Sequence, residues 1–367
     1  MADFSVGIEE EFFIVDPSTR ALAPGYMDLF AASENAGSDA IELKEELHTS
    51  VVEVGTPVCS DIDEARHEIA GLRGKLDRLA RQVDLRIAAV STHPFSRWED
   101  QGITAGPYQE ITERFQDTLR ANLICGMHVH VCLDDPDERI AVYNQARYFL
   151  PHLLALSCSS PFWQGRDTGL SSHRAELFKR LPRTGIPSTF QSWREYSDFI
   201  DDMVRLECVD SGARLWWDLR PSVKYPTLEF RICDLPMTVD ETVAIAALIQ
   251  ALVARLADHH RRNWSWRNYP VAFIQENKWR ALRYGSNAKM IDWGRKTQAP
   301  LSRLLEELIE FVEPEARRLG CMHEVVNCRR IMERGCGADR QRREYLQRGD
   351  LKGLVDYIIE QTTLNTI

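Results

Sequence analysis

Charged and imidazole side chains stand two residues apart at several places in this sequence, the spacing that puts both members of a pair on one face of a β-strand. In FSVGIEEEFFIVD, Phe4 to Asp16, the pair is Glu9 and Glu11. In GMHVHVCL it is His128 and His130, and in TLEFRICDL it is Glu229 and Arg231. RLWWDLRPS adds Arg220, in phase with Arg214, Trp216 and Asp218, and VVEVGTPV adds Glu53 on the side opposite Val52 and Val54. Glu9, Glu11, Glu53, Glu229 and one imidazole form a set dominated by oxygen ligands, which suits Mg²⁺ or Mn²⁺ better than zinc and admits more than one ion. Such ions commonly act on phosphates. Arg220 and Arg231 beside them would grip a nucleotide phosphate or a substrate carboxylate through their planar forks. The competing readings are structural pairing of those arginines with the same glutamates and, for the first strand, a solvated charged face.

Each polar row has an apolar row behind it. Phe4, Val6, Ile8, Phe12 and Ile14 form a core-facing row that Glu10 alone interrupts, while Phe13 and Val15 continue the Glu9 and Glu11 side and argue against its full exposure. Those two carboxylates are roughly 7 Å apart at Cα, and burying both ionised without a counter-charge would be costly. Met127, Val129, Val131 and Leu133 oppose the imidazoles; Leu228, Phe230 and Ile232 oppose Glu229 and Arg231. Strands are expected at 4–15, 51–58, 86–91, 127–133, 214–220 and 227–233. Helices are expected after Ser60, where Ile62, Ala65, Ile69, Leu72, Leu76, Leu79 and Val83 recur at helical spacing behind Asp61 and Glu64. Further helices are read from Pro136 to about Ser157, Val239 to His259, Val271 to Tyr284 with Gly285 as a stop, and in several segments after Pro300. Some strands lie too close in sequence for a crossover helix, so the class is α+β with a largely antiparallel sheet and a polar cavity over one face.

Composition narrows the function. At 367 residues with 45 Lys plus Arg against 55 Asp plus Glu, the formal charge of −10 argues against nucleic acid or an anionic membrane as the main partner. No apolar stretch reaches membrane-spanning length and the start lacks an export signal, so a cytoplasmic protein is expected. The nine cysteines include no CxxC pair and predict no structural disulfide; Cys321, His323, Cys328 and Cys336 lack the paired spacing of a zinc ribbon and read as incidental. Neither GxxxxGK[ST] nor GxGxxG follows a strand, and GxSxG and HExxH are missing, so any nucleotide must be held by metal ions and side chains. Phe162 to Phe190 reads as a long loop. Arg166, Arg174, Lys179, Arg180 and Arg183 among its glycines and prolines suit a mobile lid over an anionic ligand, or equally a solvated insertion.

Taken in order, GIEEEFFIVD, ELHTSVVEVGTPVC, CGMHVHV, TLEFRICDLP and the late GADRQR resemble the type 2 glutamate–cysteine ligases, carboxylate–amine ligases of the glutamine synthetase superfamily, over nearly the whole chain. The resemblance implies one glutamine-synthetase-type catalytic domain over 1–367, its curved antiparallel sheet forming an open funnel with helices outside, a basic lid at 162–190 and a mostly helical region at 300–367. It implies ATP as co-substrate and Mg²⁺ in the funnel. Glu9 and Glu11 would hold different ions, with Glu53 and Glu46 on one side and His128 and Glu229 on the other. His130 and Arg231 would face the ATP phosphates, with Glu10 turned away towards a partner that the sequence does not name. The implied reaction activates a carboxylate as an acyl phosphate, which an amine then displaces; no protein nucleophile is required. Glutamate is the implied carboxylate donor and cysteine the best-known amine, the alternatives being a different amine or carboxylate, or a non-catalytic nucleotide or metabolite sensor. An amino-acid substrate brings an anion that needs a fixed cation, for which Arg220 and Arg166 are the candidates. Family habit adds a homo-oligomer.

Overall fold

The computed structural model describes residues 4–106 and 108–367. In chain order its strands are β1 (Val6–Val15), β2 (Lys44–Glu45), β3 (Val51–Gly55), β4 (Arg86–Ala88), β5 (Met127–Cys132), β6 (Phe162–Trp163), β7 (Arg166–Asp167), β8 (Thr184–Gly185), β9 (Trp216–Trp217), β10 (Leu219–Pro221), β11 (Thr227–Phe230), β12 (Lys289–Asp292) and β13 (Thr297–Pro300). The main sheet is seven-stranded, in the order β10-β11-β5-β1-β3-β2, with β4 paired to the end of β1. All of its pairings are antiparallel, as expected from the short connections.

The apolar rows define the core face. Val6, Ile8, Phe12 and Ile14 are buried with Val52, Val54, Val129, Val131, Leu219, Leu228 and Phe230, and helices Ile62–Gln82 and Val239–Arg261 pack behind them. The first helix starts as its sequence predicts: the Asp61 side chain accepts from Glu64 N at 2.9 Å, and Glu64 Oε2 accepts from Ser60 N at 2.7 Å. The second is apolar nearly all round because sheet and helices enclose it, packing against Leu301–Arg318, Met322–Arg334 and Pro136–Ala146. Val271–Tyr284 ends at Gly285, whose φ of 52° favours glycine.

Glu10 finds its partner on this face. Arg73, from the Ile62–Gln82 helix, donates Nε to Glu10 Oε2 at 2.8 Å and Nη2 to Oε1 at 2.5 Å, and Thr242 Oγ1 donates to Oε1 at 2.6 Å. Glu10 and Arg73 are both fully buried.

Two expectations change. The 162–190 segment is not one long loop: it carries β6 and β7, a helix His173–Phe178 capped by Ser172, and β8. These pieces are too short for periodicity to reveal, and burial of Arg174, Ala175 and Leu177 holds them. The strand expected at 214–220 splits at Asp218, whose carboxylate turns to a buried ion pair with Lys278 Nζ at 2.7 and 2.9 Å; β9 then pairs in parallel with β8 while β10 joins the main sheet.

Candidate active site

The register of the sheet assembles the polar row. Residues directly opposite in an antiparallel pair share a face. Lys44 lies opposite Glu53, Glu53 opposite Glu11, Glu9 opposite His128, Gly7 opposite His130, His130 opposite Glu229 and Glu229 opposite Arg220. The row therefore crosses from β2 to β10 on the face away from the helices, and it forms the floor of a cavity of about 760 Å³. Glu9, Glu11, Glu46, Glu53, His128, His130, Arg220, Glu229 and Arg231 all line that cavity. Arg166 does not: it is an exposed residue of β7. From the same basic segment it is Arg174, buried, that reaches the cavity wall. Gly126 permits this approach, since a Cβ there would lie 2.3 Å from Arg174 Nη2.

Ligand atoms gather in three overlapping groups, each within 4.8 Å: Glu9 with Glu53 and His128, Glu9 with His130 and Glu229, and Glu11 with Glu46 and Glu53. Glu9 stands in two of the groups, with Glu53 from one side of the implied division and with His128 and Glu229 from the other, while Glu11 stands with Glu46 and Glu53. His130, expected at the phosphates, also stands within ligating reach of Glu9. Glu11 Oε2 accepts from Gly126 N at 2.6 Å, which fixes one of its oxygens and aims the other into the cavity. His130 Nδ1 lies 3.0 Å from Thr227 Oγ1, leaving Nε2 towards Glu9.

Electrostatics fit a divalent cation. Burial and the neighbouring Glu9 charge push the Glu53 carboxyl up to about 7, and burial with Glu11 and Glu53 raises Glu46 well above the usual range. An excess of carboxylates thus crowds the floor, and positive charge would relieve it. Burial and the Arg231 charge lower His128, leaving the neutral imidazole that ligates metals. Burial opposes ionisation of Glu9, but its contacts with His128 and His130 outweigh it and hold the carboxyl well below the usual range. The oxygen-rich donor set fits Mg²⁺ or Mn²⁺.

Lys44, which sequence reasoning missed, places Nζ 2.8 Å from both Glu9 Oε1 and Glu53 Oε1. Its two-residue strand has no periodicity to display; its position opposite Glu53 is a tertiary fact. Arg220 spends most of its donors structurally, with Nε and Nη2 on Glu229 at 2.9 and 3.0 Å and Nη1 on the carbonyls of Ala213 and Leu215. Arg231 also pairs with Glu229, yet its Nε, like that of Arg174, is buried without a partner. Burial raises the Glu229 carboxyl, but Arg231 and Arg220 outweigh it and keep it ionised far below its usual range. The Arg231 and Arg174 guanidinium groups both line the cavity.

The cysteines take no part. Cys208 is half-buried, the others are buried, and none is bonded to another. Cys321, Cys328 and Cys336 join none of the ligand groups, and burial pushes their thiols up to about 12. Among the described residues no helix is long and apolar enough to cross a membrane.

Comparison with known proteins gives one answer. The family model described as glutamate–cysteine ligase family 2 matches residues 5–357. A protein of Solibacter usitatus, provisionally named glutamate–cysteine ligase 2, is 49% identical over 98% of this chain and 93% of its own length. One of Sorangium cellulosum with the same provisional name is 47% identical over 98% of this chain and 96% of its own length. Among solved structures, the glutamate–cysteine ligase of Francisella tularensis in complex with AMP superposes with a TM-score of 0.67 at 13% identity, covering 99% of this chain and 90% of that one. A bifunctional glutathione synthetase from Pasteurella multocida gives 0.70 at 14%, covering 98% of this chain and 52% of that one. These two likenesses concern the fold.

Proposed function

The chain belongs to glutamate–cysteine ligase family 2 and is a ligase by that membership; from this premise we propose that it joins a carboxylate to an amine with ATP, L-glutamate being the donor and L-cysteine the first acceptor to test. The observation that carries the reading is the row of carboxylates and imidazoles running across the sheet from Glu53 to Glu229, in one cavity with Arg231 and Arg174. In this reading the sheet is the open funnel of a glutamine-synthetase-type domain.

Glu9, Glu11, Glu46, Glu53, His128 and Glu229 would hold Mg²⁺, which when bound supplies Lewis-acid neutralisation of the phosphate oxygens. His130 and Arg231, on the cavity floor, would stand at the phosphates. The donor carboxylate oxygen attacks the γ-phosphorus, an O–P bond forms, and the bond to ADP breaks. The amine nitrogen then attacks the acyl carbon, the C–N bond forms, phosphate leaves with the C–O bond electrons, and the amine's proton passes to water or to that phosphate. Arg231 and Arg174 offset the negative charge of the transferred group, and Arg220 holds Glu229 in place by its two-pronged contact.

Phosphate release from ATP and Mg²⁺ with glutamate, with cysteine or another amine in separate reactions, tests this. Release that depends on both the donor and cysteine is expected. Release with a different amine keeps the chemistry and reassigns the acceptor, whereas silence across a broad panel of carboxylates and amines refutes the ligase reading and leaves nucleotide sensing.

A further inference from the structure

Arg174 reaches the cavity wall from outside the main sheet, on the helix His173–Phe178. Six residues are too few for a helix to hold its own position, so something else must place this side chain. The guanidinium is buried and donates to neutral backbone, Nη1 to Ile232 O at 3.3 Å and Nη2 to Arg231 O at 3.2 Å. Those carbonyls give it direction but no counter-charge.

Asp234 supplies both the anchor and the charge. It follows β11, is fully buried, and does not line the cavity. Its Oδ2 accepts from Ser159 N at 2.9 Å and from Ser160 Oγ at 2.7 Å; its Oδ1 accepts from Ser172 Oγ at 2.8 Å and stands 3.9 Å from Arg174 Nη1. The two hydroxyls carry the constraint into the helix. Ser160 Oγ accepts from Arg174 N at 3.1 Å, and Ser172 Oγ, the cap, accepts from Ala175 N at 3.2 Å. Burial pushes the Asp234 carboxyl up, and Arg174 is the foremost of the groups that oppose the rise. Opposite Asp234 lies Gly126, which leaves room for the Arg174 guanidinium and donates its N–H to Glu11 Oε2 at 2.6 Å. One backbone bridge thus joins the seat of Arg174 to a carboxylate of the cavity floor.

Resting on the ligase reading, we propose that Asp234 is a positioning residue for the reaction: through Ser160, Ser172 and its own charge it holds the Arg174 guanidinium at the cavity wall, where a substrate anion meets it. Asp234→Asn separates the two contributions. With its amide oxygen towards Ser159 and Ser160, asparagine accepts both of those contacts and donates Nδ2 to Ser172 Oγ, so the hydrogen bonds are kept and the charge beside Arg174 is lost.

The test is a double-mutant cycle read by phosphate release with ATP, Mg²⁺, glutamate and the accepted amine. Asp234→Asn is expected to lower kcat/KM by about tenfold or more, within the range that misplacing a group at the site costs, and Arg174→Met to lower it at least as far. Added to Arg174→Met, the Asp234 change should cost less than about threefold further, because the group it positions is already gone. A role confined to stability would instead give losses that multiply. Ser172→Ala removes only the hydroxyl between Asp234 and the start of the helix, and covers the case in which Asp234→Asn does not fold; its loss should likewise vanish in the Arg174→Met background. Losses that multiply, or an Asp234→Asn protein within about threefold of wild type, overturn the positioning role and leave the ligase reading intact. Wild-type protein that releases no phosphate with any carboxylate and amine overturns the ligase reading, and the role of Asp234 with it.

Discussion

Replacing Glu10 by Gln should destabilise the protein far more than an isosteric change normally does. The Arg73 guanidinium is fully buried and makes charge-assisted contacts with both Glu10 oxygens, besides donating to the carbonyls of Met237 and Pro236. Glutamine keeps the shape but leaves a buried cation without its counter-charge and turns an amide donor towards it. Breaking such a pair costs about 3–5 kcal/mol. At about 2.1 cal/mol/K of unfolding entropy per residue, 367 residues give about 0.8 kcal/mol/K, so the melting temperature should fall by about 4–6 °C. Differential scanning calorimetry of Glu10→Gln, Arg73→Met and the double variant measures it. The double variant removes both charges and should recover at least half of the loss, because neither charge is then left buried without its partner. A Glu10→Gln melt within about 1 °C of wild type, or a double variant as unstable as the sum of the singles, would refute the assignment of Glu10 as a counter-ion locked to the helix.

Glu229→Gln should lower ATP turnover by about a hundredfold with little change in circular dichroism, because it weakens a ligand group and frees two arginines; activity near wild type rules out Glu229 as a ligand. Lys44→Met removes an ammonium from between Glu9 and Glu53, so Mn²⁺ followed by electron paramagnetic resonance should bind more tightly without nucleotide; weaker binding would make Lys44 part of the site's support. Burial lowers His93 to about 3, and His152 and His173 to about 4, from 6.5 in the unfolded chain. The unfolded chain therefore binds protons that the folded one refuses, and stability present above pH 6.5 should be lost as pH falls towards 4, by about 1.4 kcal/mol per ring per pH unit; chemical denaturation at stepped pH checks this, and a midpoint flat from pH 6.5 to 5 contradicts it.

What the sequence made legible follows from strand geometry. A period of two separates faces without any knowledge of partners, so the rows of Glu9, His128 and Glu229 could be read and their sharing of one cavity expected. Register is a different kind of information. That Glu9 stands opposite His128 and Glu11 opposite Glu53 depends on how strands distant in sequence align. The misses share that origin. Arg73 meets Glu10 across 63 residues, and Lys44 meets Glu9 across 35, from elements whose own patterns say nothing of the encounter. In the basic 162–190 segment sequence reasoning chose Arg166, which is exposed outside the cavity, and passed over Arg174, which Gly126 lets into the wall.

Three consecutive glutamates in β1 do two jobs because the strand has two faces. Glu9 and Glu11 face the cavity, among other carboxylates, where the proposed function needs them for a cation. Glu10, between them, points the other way into a fully paired site against Arg73 and Thr242. A one-residue slip of β1 would turn Glu9 and Glu11 out of the cavity and onto the core face. An apolar residue at position 10 would pack the core without fixing the register, since it would accept any apolar neighbour. A buried carboxylate against a single guanidinium does not, so the ion pair behind the sheet keeps Glu9 and Glu11 in front of it at their positions.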